Sequence, residues 1–380
     1  MPDADFHNAP TEKRPDYQPP PAAGGGTAVV AVRRPGFFGR IKLWAKRHTA
    51  LLWMLHSVYA LFLGVLVMLF AAKGFQHARI LAATLGGAFL LSIVIFRLFG
   101  QGAEQKAKVA EKKYGRIQFL GMTYFLKNMY QGMLFFLLPF YWKSSSLDSM
   151  NAWFVILLAV LAVLSTMDLV FDHVLMRFKV LAAIFYAVTL FACANLVIPA
   201  FFDNVPAIVS LLASTVLSII GFWLLHFPLR TLLEKRTWGT IGGVAVAALI
   251  AVYFARGTLP PVPLYVRHGG VGVEQLADGR LVYEVTRVHR SRVTSLFAVT
   301  DVALPGGQGD DFRHVWRHRD GELRVVEDAR VLPGGEPGTV RVVSGVPAQK
   351  IPQNPVGEWT VDVVTTDDQI VGRTRFTVIE

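Results

Sequence analysis

"VYFARGTLPPVPLYV", residues 252–266, divides the chain into two kinds of sequence. Before it stand long apolar runs; after it, apolar and polar residues alternate over short distances. Pro260, Pro261 and Pro263 give the junction the character of an extended, fairly stiff linker, assigned to 258–266.

Upstream, seven segments have spanning length: roughly 50–72, 79–99, 120–142, 151–171, 178–198, 206–227 and 239–256. Each supplies about the twenty residues that a hydrocarbon core of roughly 30 Å demands. The chain is 53% hydrophobic and only 17% charged, so residues 49–257 predict an α-helical polytopic membrane bundle of about seven spans. Downstream, "RLVYEVTRV", "SLFAVTDV", "FRHVWRHR", "ELRVVEDA", "TVRVVSG", "EWTVDVVTT" and "IVGRTRFTVI" are rich in Val, Thr, Phe and Trp and separated by Gly, Pro and Asp. Seven such strands predict an all-β antiparallel sandwich, immunoglobulin-like, over 267–380. Trp359, Val361 and Val363 share one face, and Phe376 and Val378 lie opposite Arg373 and Arg375.

The formal net charge of +11 is unevenly placed. Residues 262–380 hold 14 Lys and Arg against 16 Asp and Glu, which leaves 24 against 11 for residues 1–261. With the N-terminus in the cytoplasm, seventeen Lys and Arg fall in inside loops and three in the short outside loops, so the excess sets topology and does not indicate nucleic acid. An odd number of spans then carries the C-terminal domain out of the cytoplasm. Residues 1–48 read as a Pro- and Gly-rich disordered tail followed by a basic juxtamembrane flank, "RRPGFFGRIKLWAKRH". The one cysteine, Cys193, lies in the fifth span, so the β domain must fold without a disulfide.

Within the third span, "YFLKNMYQG" (124–132) places Lys127, Asn128 and Gln131 among apolar residues. Counting back about twenty residues from Trp142 sets Lys127 about 6 Å below the cytoplasmic surface, within reach of snorkelling. Asp168 in the fourth span lies at nearly the same depth, and a short loop makes the two spans antiparallel neighbours. The stripe of Lys127, Asn128 and Gln131 is therefore expected to face Ser165, Asp168 and Asp172, with a Lys127–Asp168 pair as a clamp between helices or, alternatively, as part of a proton or solute pathway.

The β domain offers four histidines, His268, His289, His314 and His318. The last two, four apart on a strand, stand about 13 Å from each other, too far to share a metal. Phe312, His314, Trp316 and His318 are expected to form a face that packs partly inward. "PGGQGDDF" (305–312) lacks the alternating oxygen ligands of a calcium loop and reads as a hairpin loop. "GGVGV" at Gly269 opens no helix and is no dinucleotide motif, and neither a nucleophile elbow nor a zinc-protease helix is present.

"VWRHRDG", "RVVSG", "GEWTVDV" and "GRTRFTV", over about the last 70 residues, resemble in order and spacing the bacterial domain of unknown function 2914. The span exit "PFYWKSSSLDS" is similar to that of its multi-span members. The resemblance implies structural roles for Trp316, Gly321, Ser344, Gly357, Trp359, Gly372 and Phe376, and a membrane-tethered β domain without an assigned activity. Asp367-Asp368-Gln369 departs from the family, which tends to an Asp-Gly turn there.

The expectation is a non-catalytic bacterial inner-membrane protein displaying a periplasmic β-sandwich. Its partners would be the lipid bilayer and an envelope protein, peptide or glycan, with no cofactor, metal or nucleic acid. The competing expectation is a transporter or membrane enzyme that uses the polar stripe.

Overall fold

The structure, a computed structural model, describes residues 48–71, 86–87, 113–167, 178–227, 231, 234–318 and 323–380. The chain divides into two units, Met1–Thr49 and Ala50–Glu380, and every contact given below lies within the second.

Six long helices are described: α1 (Thr49–Ala71), α2 (Lys113–Lys143), α3 (Ala152–Thr166), α4 (Lys179–Phe201), α5 (Ala207–His226) and α6 (Lys235–Ala255). Three stretches are long and apolar enough to cross a membrane, Val180–Phe201, Ala207–Leu224 and Lys235–Thr258, while Ser57–Leu69 and Ala152–Thr166 are shorter apolar helices. The described helices thus do not reach the expected seven spans. The second expected span, 79–99, falls outside the described residues apart from Gly86 and Gly87. The fourth, 151–171, is helical for 15 residues, about 22 Å of rise and short of a bilayer core.

Helices α4 and α5 pack through small polar residues. Ser210, Ser214 and Ser218 recur every four residues, so they line one face of α5 and let the two backbones approach. Ser218 Oγ donates to the Ala187 carbonyl at 3.1 Å and Ser210 Oγ to the Asn195 carbonyl at 3.1 Å.

After α6 the chain makes a short 3-10 turn, Arg256–Thr258, and enters a domain of nine strands. These are β1 (Tyr265–Gly272), β2 (Arg287–His289), β3 (Leu296–Ala303), β4 (Phe312–His318), β5 (Leu323–Asp328), β6 (Arg330–Pro333), β7 (Thr339–Val346), β8 (Gly357–Thr365) and β9 (Ile370–Ile379). They form two sheets, β1-β3-β7-β6 and β2-β9-β8-β4-β5. The arrangement corrects the antiparallel, immunoglobulin-like expectation on two points. Among the described residues there are nine strands where the sequence predicts seven, and β2 runs parallel to β9. The expected strand over 280–288 is ladder only from Arg287, because residues 281–285 fold back against β1 through single contacts such as Val285 N to Val271 O at 2.8 Å.

Between the sheets, the inward residues meet in two clusters. The one far from the helices is aromatic: Trp359 stacks on Phe376 at 5.8 Å between centroids, and Trp316 meets the edge of Phe376 at 6.3 Å. Gly357 opens β8 at φ 138°, a backbone that L side chains rarely adopt. Gly372 lies so close to Val266 that a Cβ would overlap it. A buried polar chain links the two sheets beside this cluster. Trp316 Nε1 donates to Ser344 Oγ at 3.2 Å, Ser344 Oγ lies 2.7 Å from His314 Nδ1, and His314 Nε2 lies 3.1 Å from Thr300 Oγ1. A neutral imidazole protonated on Nε2 satisfies the whole chain. Burial pulls the His314 pKa down from 6.5 to about 3, which keeps it neutral.

Ser344→Ala is expected to leave Trp316 Nε1 and His314 Nδ1 buried without a partner and to cost about 2 kcal/mol, read as a lower midpoint in thermal unfolding. His314 titrates first in the unfolded chain. Its contribution to stability should therefore be full above pH 6.5 and fall by about 1.4 kcal/mol per unit as pH drops toward 3, and His314→Gln should flatten that slope.

Candidate functional site

The feature that ties the two halves of the chain together begins at a proline. Pro206 occupies the N-cap position of α5 and offers no side-chain hydrogen bond, so the first amides of that helix lack a local acceptor. The loop between β3 and β4 supplies one. Asp310 places both carboxylate oxygens on the Ala207 amide, at 3.0 and 3.2 Å, while the Gly306 carbonyl accepts the Asn204 amide at 2.8 Å. Asn204 adopts φ 61° to turn the chain there. Asp310 is buried. Burial raises its carboxyl from 3.8 to about 6; the Ala207 N–H pulls it back, and Asp367 and Asp311 push it up.

The exit linker does not act as a free tether. Leu259 packs with Phe191 and Leu211 of the helices, Val262 joins the core around α2, α3 and α4, and Leu264 enters the β core. Ala207 of α5 belongs to that same β core, beside Val302, Phe312 and Val342.

Charge completes the seam. The outward face of β4, β8 and β9 turns toward the helix ends and carries Asp362, fully buried. Arg373 grips it in a bidentate pair at 2.5 and 2.9 Å, and Arg317 also bonds it. Arg375 pairs with Asp148 of the α2–α3 loop at 3.0 Å, and Asn151 Nδ2 of that loop donates to the Ile370 carbonyl at 2.8 Å. Asp368 accepts Arg313 at 3.1 Å and faces Arg256 of the α6 exit at 3.6 Å. It does so from φ 63°, so the departure from the Asp-Gly turn keeps the left-handed backbone and adds a carboxylate that the glycine would lack. A cavity of about 280 Å³ opens at this seam, lined among others by Met150, Thr258, Val315, Arg317, Asp368 and Ile370.

The expected intramembrane stripe is only partly described. Lys127 lies on α2, but its side chain, with Asp168 and Asp172, falls outside the described residues. Asn128 is half-buried. Gln131 is buried and donates to the Ala60 carbonyl at 2.8 Å, so it joins α2 to α1. Ser165 bonds the Ala162 carbonyl of its own helix at 2.6 Å. Further polar contacts between helices lie outside the stripe: Tyr141 of α2 bonds the Ala192 carbonyl at 3.0 Å, with Asn195 and Ser210 alongside. The four-residue recurrence of serine in α5 signals that line in the sequence.

Of the residues implied by the resemblance, Trp316, Ser344, Trp359 and Phe376 are buried together, and Gly357 and Gly372 occupy positions that need glycine. Gly321 falls outside the described residues. His314 and His318 face inward as expected; His318 stacks on Trp359 at 4.6 Å and contacts the Val356 carbonyl. His268 sits 2.5 Å from Glu284, and His289 bonds Ser291.

The sequence model described as "Family of unknown function (DUF5924)" matches residues 36–280, and that described as "Protein of unknown function (DUF2914)" matches residues 310–378. No curated protein and no solved structure matches the chain. The first match runs through the helices into the β domain, and the second starts at Asp310.

Asp310→Ala removes the only side-chain cap described for α5 and is expected to cost about 1–2 kcal/mol. Asp310→Asn keeps an acceptor and sheds a buried charge. The raised pKa means that this group favours the fold below 3.8 and loses that benefit as pH rises through about 6. The Asn variant should therefore match or exceed the parent in thermal stability at pH 7.5, with the difference shrinking toward pH 4.

Proposed function

We propose a function from the premise that the chain belongs to the family of unknown function DUF5924, whose match covers more than half of it. It is a non-catalytic, multi-span inner-membrane protein with its N-terminus in the cytoplasm. It holds a β-sandwich in the periplasm to bind an envelope component or partner protein. The observation that carries this reading is the seat of the β domain on the helix ends through Asp310 and the buried linker. A domain held this way presents a fixed surface, and binding on that surface is felt by α5 and α6. The three apolar helices and the seventeen-to-three asymmetry of Lys and Arg support the location.

Within the membrane, Lys127 and Asp168 form a clamp between neighbouring spans and not a solute pathway. Gln131, one turn on from Lys127, is buried and bonded to α1, which favours helix packing over a solute path for this stripe.

Gentle extraction of the intact chain from native membranes, followed by identification of what stays bound, tests the main reading. A specific envelope component should be retained. A chain that retains none, yet passes small solutes in sealed vesicles, would favour the pathway instead. For the clamp, Lys127→Met and Asp168→Leu should each destabilise the protein in detergent, and the double variant should lose about 1 kcal/mol less than the sum. Strict additivity would show that the two residues do not touch.

A further inference from the structure

The sheet edges restrict how the β domain can hold a partner. Residues 281–285 cover the edge of β1 over Gly270–Gly272, its register breaks between Val266 and His268, β2 has three residues, and β6 has four and ends at Pro333. On the edge strand β5, Glu327 is tied to Lys350, a charge pair that an added strand would have to disrupt. Strand addition by a peptide is therefore disfavoured, and recognition falls to side chains.

One pole supplies them. Strand β9 starts at Ile370 against Asn151 and still reaches the α2–α3 loop through Arg375, and β2 pairs only with its last residues, Thr377–Ile379, beyond those contacts. His289 closes the 3-10 turn Arg290–Arg292 by accepting the Ser291 amide at 3.3 Å, with Nδ1 2.8 Å from Ser291 Oγ. Arg287, Arg290 and Arg292 are exposed around this turn, and none has an ion-pair partner among the described residues. Arg280, Arg313, Arg317, Arg341, Arg373 and Arg375 of the same domain are all paired. The nearest carboxylates by strand register are the exposed Glu358 and Glu380. The domain from Val262 onward carries 14 basic against 16 acidic residues, so its surface does not suit nucleic acid as a whole, and the three guanidinium groups around this turn are a local concentration.

We propose that this turn binds an anionic glycan, a polymer whose repeating units bear phosphate or carboxylate, through Arg287, Arg290 and Arg292. Guanidinium groups engage both oxyanions in two-pronged hydrogen bonds, and a glycan needs no sheet edge to dock. The inference rests on the reading of the β domain as a binding module outside the cytoplasm.

Binding of polygalacturonate and of phosphomannan to the full chain in phosphatidylcholine nanodiscs tests it, with neutral dextran and polyglutamate as controls. At least one anionic glycan should bind and dextran should not. The triple variant R287Q/R290Q/R292Q should lose about tenfold in affinity and show a flatter salt dependence. The charge-matched R280Q/R330Q/K350Q should stay within about twofold of the parent. No binding of either glycan, equal loss in both triple variants, or tighter binding of polyglutamate overturns the proposal. Location is read separately. Cys193 is buried, so Thr294→Cys offers one accessible thiol among the described residues for an impermeant maleimide on whole cells. Labelling without glycan binding overturns the site and leaves the external domain standing. Glycan binding without labelling overturns the location and leaves the site.

Discussion

Helix α5 begins at a proline and so cannot cap itself, and the carboxylate that does so comes from a loop more than a hundred residues later in the chain. An uncapped helix start exposes amides that need acceptors, and its partial positive charge favours an anion. Asp310 meets both needs at the cost of desolvating its own charge. Much else follows from the loop having to reach that point. It brings the end of β3 and the start of β4 down onto the α4–α5 turn, and Ala207 rises into the β core beside Phe312.

Two of the carboxylates at the seam are each flanked by two arginines. Asp362 lies between Arg317 and Arg373, and Asp368 between Arg256 and Arg313. A fully buried carboxylate is tolerable only when its lone pairs are occupied, and Asp362 takes three guanidinium hydrogen bonds. Each set also joins separate pieces of chain. Arg256 belongs to the exit of α6, and Arg373 reaches the Asp148 carbonyl in the α2–α3 loop. The sheet face that would otherwise be wet is thereby dried against the helix ends.

That drying marks the limit of what the sequence reveals. Alternation in "EWTVDVV" correctly assigns Trp359, Val361 and Val363 to the inner face, but Asp362 and Val364 on the other face are buried as well. Alternation reports what one strand prefers and is silent about a second structure docking on its polar side. Strand β1 escapes detection because Gly269, Gly270 and Gly272 interrupt the apolar pattern. The parallel partner of β2 lies some ninety residues away, and no local signal encodes it. Asp310 reads as an ordinary loop residue for the same reason, whereas the motif residues Trp316, Trp359 and Phe376 are legible because they repeat a local strand pattern. In the helical half, composition finds the apolar stretches, yet length decides which can cross a bilayer, and α3 falls short of the expectation.

The burial of Leu259, Val262 and Leu264 in three different cores means that no clean cut exists between a soluble part and a helical part. A fragment started at the linker would leave the β core open at its base, where Ala207 belongs. The helices alone would lose Val262 from among them. Any partner of this protein therefore meets one continuous solid, and a twist applied at the far pole of the sandwich arrives at the helix ends without slack to absorb it.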